Sequence, residues 1–354
     1  MNREKRTRPL LIGVAVNGAE YSSRKYPFIP VTAEQAVNDA QDAFEQGARY
    51  CHFHAREPRS GDQFVDHEWF WNVRHGMSQK VPRAAISFAS SRKGLVAGQI
   101  QSAVAAAGLT DGELSVDRLV EIELIRAIGM KSNPDLMTIF TALETKLNSR
   151  DEGDSQAAAD SYQTSMTRGY TDPALISAYY QKVQKLYETR GIIPEYEITT
   201  MGALWTLESL IRAKRVPPKP HFVFLFGFSA RLPIARHVFD LCMEFMRYLR
   251  SQYPIRPVVS VGAVIQPHLA ATTPRRMFEP LQPGKHDYLE LLEWACSDDM
   301  VDAVRVGLED TPVHFGEHVR NADFVRLVRT ECENAGVEIT YDPDLVHQLL
   351  GTRS

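Results

Sequence analysis

Short apolar runs rich in β-branched and aromatic residues recur along the chain, separated by longer stretches in which apolar residues return every three or four positions. The short runs suit strands buried on both faces and the long stretches suit amphipathic helices, so the pattern predicts repeated βα units around a parallel sheet. Eight strands are expected, at residues 10–16, 50–55, 84–89, 136–141, 195–199, 222–226, 258–261 and 303–308. Helical periodicity stands out at 33–46, 116–128, 175–188, 234–250, 288–296 and 324–335. Two helix starts are marked as well. Thr32 with Gln35 three residues on is a capping-box pattern, and Asp172 before Pro173 sets a cap residue ahead of a proline suited to a first turn.

Eight such units point to an α/β protein of the (β/α)8 TIM-barrel class, a single domain over residues 1–354 with extended βα loops. A doubly wound sheet is the alternative. That fold places a G-x-G-x-x-G turn after its first strand, whereas this chain reads Asn17-Gly18-Ala19-Glu20 there, so the barrel is favoured. Two polar, helix-poor segments, 90–115 and 147–171, exceed ordinary βα loops. Both follow strand C-termini and are expected to cover or border an active site.

Composition narrows the function. The 354 residues are 44% hydrophobic and 24% charged, ordinary for a globular protein, and 40 Lys and Arg against 44 Asp and Glu give a net charge of −4. That balance argues against a globally basic nucleic-acid binder. Cys51, Cys242, Cys296 and Cys332 lie far apart without a C-x-x-C pair, which suggests a reducing cytoplasm rather than a disulfide framework. No stretch reaches the ~18 apolar residues of a membrane span, so a soluble protein is expected.

The strongest chemical signal is Cys51-His52-Phe53-His54-Ala55-Arg56-Glu57-Pro58. Two residues apart on a strand, His52 and His54 project to one face, the interior of a barrel, where two imidazoles converge on a point that suits a metal. The plain alternative is a pair of histidines satisfied by backbone or carboxylate partners. A second signal is Arg305-Val306-Gly307-Leu308-Glu309-Asp310, where alternation puts Arg305, Gly307 and Glu309 on one face with Asp310 just past the strand. These residues supply an anion clamp, clearance for close approach, a metal ligand and a base, or, more simply, a charge pair on an edge strand.

Together the two segments resemble the β-keto acid cleavage enzymes, best known for 3-keto-5-aminohexanoate cleavage. The resemblance runs through Val14-Ala15-Val16-Asn17-Gly18-Ala19-Glu20, Tyr26-Pro27-Phe28-Ile29-Pro30-Val31-Thr32, the H-x-H-x-R-x-P segment, Pro194-Glu195-Tyr196-Glu197 and Arg305-Val306-Gly307-Leu308-Glu309-Asp310, in order and with matching spacing. It implies a barrel, homotetrameric, holding one zinc or another divalent metal through His52, His54 and Glu309. It also implies that a β-keto acid and acetyl-CoA yield acetoacetate and a new acyl-CoA. Asp310 then takes the role of base at C2, assisted by Arg305, and Glu20 and Glu197 match acidic positions that meet substrate, with Glu195 on the same face as the alternative to Glu197.

The chain departs from the family after the third strand, where Ser87-Phe88-Ala89-Ser90-Ser91-Arg92-Lys93-Gly94 replaces a threonine- and glycine-rich turn and Ser90 supplies a hydroxyl for the substrate. After the fourth strand the family's threonine is retained as Thr141, without the glycine and asparagine-phenylalanine that often follow. Substrate identity is therefore less defined than the chemistry. A metal-dependent aldolase or lyase is a competing enzyme class. An amidohydrolase-like hydrolase is disfavoured, because it carries its H-x-H on the first strand. His221, His237, His286 and His347 read as structural, His314 and His318 as site neighbours at most, Arg212 to Lys219 as a helix end and chain turn, and Trp69, Phe70 and Trp71 as packing residues.

Overall fold

All eight expected strand regions form strands, and they close on one another. In the computed structural model of the chain, which describes residues 6, 8–19, 21, 23–63, 66–89, 132–140, 184–185, 187–227, 232–265, 287–314 and 317–352, the parallel strands are β1 (Leu11–Ala15), β2 (Tyr50–Phe53), β3 (Ala85–Phe88), β4 (Leu136–Phe140), β5 (Ile193–Ile198), β6 (His221–Phe226), β7 (Val258–Ala263) and β8 (Ala303–Val306). They follow sequence order around a closed barrel, with β8 returning to β1 through the pairs Leu11↔Ala303 and Gly13↔Arg305. A short antiparallel hairpin, Val313–His314 with Glu317–His318, follows β8. The sequence pattern gave no sign of it.

Helices cover the outside. They are α1 (Ala33–Gln46), α2 (His67–Lys80), α3 (Met201–Arg212), α4 (Arg236–Gln252), α5 (Asp287–Ser297), α6 (Asn321–Ala335) and α7 (Pro343–Leu350). The capping box at Thr32 and Gln35 is formed, satisfying the free amides at the start of α1. α6 begins at Asn321, three residues before the apolar periodicity does, because its first turn is fixed by polar contacts. Trp69 and Phe70 on α2 are packing residues as expected, but Trp71 is 51% exposed and packs little, since it falls on the outer face of that helix. Residues 116–128, most of 175–188, Asp172, Pro173 and both long segments, 90–115 and 147–171, lie outside the described residues. Among the described residues no helix is long and apolar enough to cross a membrane.

Alternation along the strands sorts the core into two bodies. Ile12, Val14, Cys51, Phe53, Phe222, Phe224, Val259, Val261, Val304 and Val306 face outward against the helices. Leu11, Tyr50, Ala85, Leu136, Val258 and Ala303 face inward at the N-terminal end and pack on Val346 and Leu350 of α7, which closes that end of the barrel. The polar side chains of the interior therefore sit above an apolar floor. An edge-strand explanation of Arg305 fails here, because β8 is hydrogen-bonded to β7 on one side and β1 on the other.

Candidate metal centre

His52 lies near the end of β2 and His54 just beyond it, and both rings point into the barrel. Asn17, at the end of β1, fixes the turn between them: its Oδ1 accepts from the His54 amide at 3.0 Å and its Nδ2 donates to the His54 carbonyl at 2.9 Å. Arg56, buried, donates to the carbonyls of Asn17, Gly18, Tyr21 and Gly61, tying the β1 and β2 loops together. Glu309 arrives from the other side of the barrel seam, past the end of β8. Gly18, with φ +50°, packs directly on the Glu309 side chain. Gly307 provides close approach as expected, but to the β1 backbone rather than to a ligand: a Cβ there would stand 2.4 Å from the Ala15 carbonyl oxygen.

The result is a three-residue cluster. His52 Nε2 and His54 Nε2 are 3.2 Å apart, His54 Nε2 is 3.2 Å from Glu309 Oε1, and His52 Nε2 is 3.8 Å from Glu309 Oε2. Ligands placed tetrahedrally at ordinary zinc distances stand about 3.3 Å from one another, so this spacing fits one ion with an open fourth position. Among the described residues this is the one group of three such side chains that could hold a metal. Protonation states fit too. Burial lowers the His54 pKa to about 4 despite the pull of Glu309, so the ring is neutral at pH 7. Burial pushes the Glu309 carboxyl up, but Arg305 and His54 outweigh it and hold the group below the usual carboxylate range, ionised.

Behind the cluster runs a polar chain. His52 Nδ1 is 2.9 Å from Ser87 Oγ, and that hydroxyl donates to Glu195 Oε2. Glu195 Oε1 is 3.5 Å from His221 Nδ1, whose Nε2 is 2.5 Å from Ser260 Oγ. Burial alone would raise Glu195, yet His52, His221 and Arg305 together bring it down to about 2. Glu195 is thus an anion beneath His52, suited to orienting the ring and raising its basicity. Glu197, two residues further along β5 on the same face, is lifted to about 7, by burial first.

Arg305 is fully buried, with Nη2 3.2 Å from Glu309 Oε2. Among the described residues none of its three guanidinium nitrogens completes a hydrogen bond. Asp310 is also fully buried; its Oδ2 accepts from Tyr288 Oη at 2.6 Å while Oδ1 has no partner among the described residues. Burial raises the Asp310 carboxyl well above its usual range, against the opposing effects of Arg305 and the Tyr288 hydrogen bond. The ionised carboxylates of Glu195 and Glu309 face the one guanidinium of Arg305, so a divalent ion at the cluster would meet compensating negative charge.

The structure thus brings together His52, His54, Glu309, Arg305, Asp310 and Glu197, while Glu20, Ser90 and Thr141 lie outside the described residues. His221 belongs to the buried chain beneath His52, His347 contacts Thr352 at the end of α7, and His318 packs on Phe28. Ser87, Gln63, Tyr288 and Asn321 carry contacts that the sequence reading did not assign. Asn321 accepts from the Leu308 amide at 2.8 Å and donates to the Val16 carbonyl at 2.8 Å, pinning the ends of β8 and β1 together from the start of α6. No local motif marks it.

Comparisons with known proteins bear on the family and the fold. A relative from Cupriavidus necator, 3-oxoadipate:acetyl-CoA acetyltransferase, is 22% identical over 244 residues, covering 69% of this chain and 68% of its own. The 3-keto-5-aminohexanoate cleavage enzyme of Fusobacterium nucleatum is 32% identical over 77 residues, 22% of this chain and 28% of the relative. Among solved structures, ObcA bound to oxaloacetate superposes with a TM-score of 0.57 at 14% identity, over 93% of this chain and 68% of ObcA, a likeness of fold. The sequence model of the beta-keto acid cleavage enzyme family matches residues 9–274, and with the closed eight-stranded barrel this establishes that the chain belongs to the β-keto acid cleavage enzyme family.

Proposed function

We propose that the protein transfers acyl groups between a β-keto acid and acetyl-CoA, giving acetoacetate and a new acyl-CoA, with a divalent metal, zinc first, on His52, His54 and Glu309. The observation that carries this reading is the buried Arg305 guanidinium, without a hydrogen-bond partner among the described residues, beside both the His52, His54 and Glu309 cluster and the Asp310 carboxyl. Such a site asks for an anion that delocalises onto oxygen, as an enolate does. The acetyltransferase relative supports acetyl-CoA as acceptor.

When bound, the ion supplies Lewis acidity toward a keto oxygen. The chain's own residues do the rest. Asp310, whose carboxyl burial raises above its usual range against the pull of Arg305, takes the C2 proton in its ionised form through Oδ1, the oxygen that Tyr288 leaves open. Arg305 holds the charge that develops as C2 loses its proton. The C2 carbon then attacks the thioester carbonyl and CoA thiolate leaves; the thiolate adds to the original keto carbon, the C2–C3 bond breaks to release the new acyl-CoA, and C2 takes back the proton held by Asp310 to give acetoacetate. Glu197, Glu20, Ser90 and Thr141 are assigned to the substrate, Glu197 from the upper end of β5 within electrostatic reach of Arg305 and His52.

The long segments 90–115 and 147–171 are assigned to the rim of this site, within a single domain. A cytoplasmic homotetramer completes the reading; four cysteines without a disulfide and the exposed Trp205 and Tyr248 support it. Turnover of a β-keto acid measured with and without acetyl-CoA is the test. Strict dependence on acetyl-CoA is expected, and cleavage without it would make the protein a lyase.

A further inference from the structure

His54 presents its two ring nitrogens to different neighbours. Nε2 faces His52 and Glu309, each at 3.2 Å, while Nδ1 faces the side-chain amide of Gln63, whose Nε2 stands 3.0 Å away. Gln63 is 4% exposed, and its Oε1 is buried without a hydrogen-bond partner among the described residues. Its backbone is held separately, by a bridge to Arg56, so the amide is presented from a fixed segment.

A neutral imidazole carries one ring proton, so whatever Nδ1 is bonded to decides whether Nε2 offers a lone pair or an N–H. With the amide NH2 toward the ring, Nδ1 accepts, and the proton sits on Nε2, donating to Glu309. In that state His54 cannot ligate. With the amide turned over, Oε1 accepts from Nδ1–H and the Nε2 lone pair is directed at the metal position. A glutamine serves both states in the same volume and without burying a charge. A carboxylate there serves only the second, and an apolar side chain serves neither.

We propose that Gln63 is a positioning residue whose amide orientation selects the His54 tautomer. It donates to Nδ1 in the metal-free site and accepts from Nδ1–H when an ion is held. The inference rests on reading His52, His54 and Glu309 as metal ligands. It completes a pattern in which each ligating imidazole has an outer partner: His52 has Ser87 backed by Glu195, and His54 has a neutral amide.

The test compares wild type, Gln63→Leu and Gln63→Glu at pH 8. Zinc affinity is measured by competition with a chromophoric chelator, and the His54 tautomer in metal-free protein by long-range 1H–15N correlation of the ring nitrogens. Gln63→Leu should weaken zinc binding about 10–100-fold, and Gln63→Glu should return it to within about threefold of wild type. Without metal, wild type should carry the His54 proton on Nε2 and Gln63→Glu on Nδ1. Wild-type zinc affinity in Gln63→Leu, equal weakness in the two variants, or one shared tautomer in metal-free wild type and Gln63→Glu would each overturn the proposal. A wild type that takes up no zinc would overturn the metal reading instead, and the tautomer comparison would then decide the role of Gln63 by itself.

Discussion

Replacing Gly18 with alanine tests whether the loop after β1 sets the position of the carboxylate ligand. A Cβ at Gly18 would stand 2.5 Å from Glu309 Cγ, 2.6 Å from its Cβ and 2.8 Å from its Cα. Carbon atoms pack comfortably from about 3.5 Å, so Glu309 has to retreat by roughly 1 Å, and the short distance to Cα means that backbone must move with it. The left-handed backbone, φ +50°, adds about 1 kcal/mol once the residue has a side chain, and the overpacking about 1–3 kcal/mol. Unfolding free energy should therefore fall by about 2–4 kcal/mol. Metal affinity should suffer more, because ligand positions tolerate only about 0.2 Å. A ~1 Å displacement of one of three ligands should weaken zinc by about 100-fold or more, at or beyond the range for losing an outer partner. Gly336→Ala is the control: its φ of +65° is similar, nothing lies within 4 Å of the added carbon, and it should lose about 1 kcal/mol with zinc affinity unchanged. Urea unfolding and zinc titration of the three proteins decide the matter. If Gly18→Ala bound zinc like wild type and lost no more stability than Gly336→Ala, the loop would not be what positions Glu309.

Four further outcomes are expected. His52→Ala should lose both metal and turnover; full metal occupancy by elemental analysis would remove His52 from the ligand set. Asp310→Asn should keep metal and substrate binding while kcat falls about 10²–10⁴-fold, and Arg305→Lys should also be damaging, since a point charge cannot reproduce the guanidinium fork. Solvent exchange at C2 without acetyl-CoA isolates that step, and a wild-type exchange rate in Asp310→Asn would move the base elsewhere. Asp39, which accepts from Asn321, is raised to about 6 by burial, so its folded pKa lies above its unfolded one. The stability it contributes is present below pH 4 and lost as pH rises through 6, so wild type should lose on the order of 1 kcal/mol between pH 5 and 8 relative to Asp39→Asn in urea unfolding. A parallel pH dependence in the two proteins would contradict this.

The alternation of short apolar runs and amphipathic stretches was enough to read a barrel, because strands buried on both faces need apolar residues at nearly every position, whatever their neighbours. The H-x-H pair was readable for a similar reason: residues two apart on a strand share a face in any sheet. Barrel closure was decided by tertiary structure. It sets β8 beside β1 and carries Glu309 across 255 residues to His54. Strand register separated the two glutamates of β5. Alternation places Glu195 and Glu197 on one face, but the hydroxyl of Ser87 on β3 captures Glu195 beneath His52 and leaves Glu197 nearer the open end. The partners of the reactive groups were not legible at all. Gln63 reaches His54 from the loop after β2, Tyr288 reaches Asp310 from α5, and Asn321 joins β1 to β8 from the first turn of α6. Each is a single polar side chain without a motif, and its role exists only where packing removes water and leaves a hydrogen bond to be satisfied from another element.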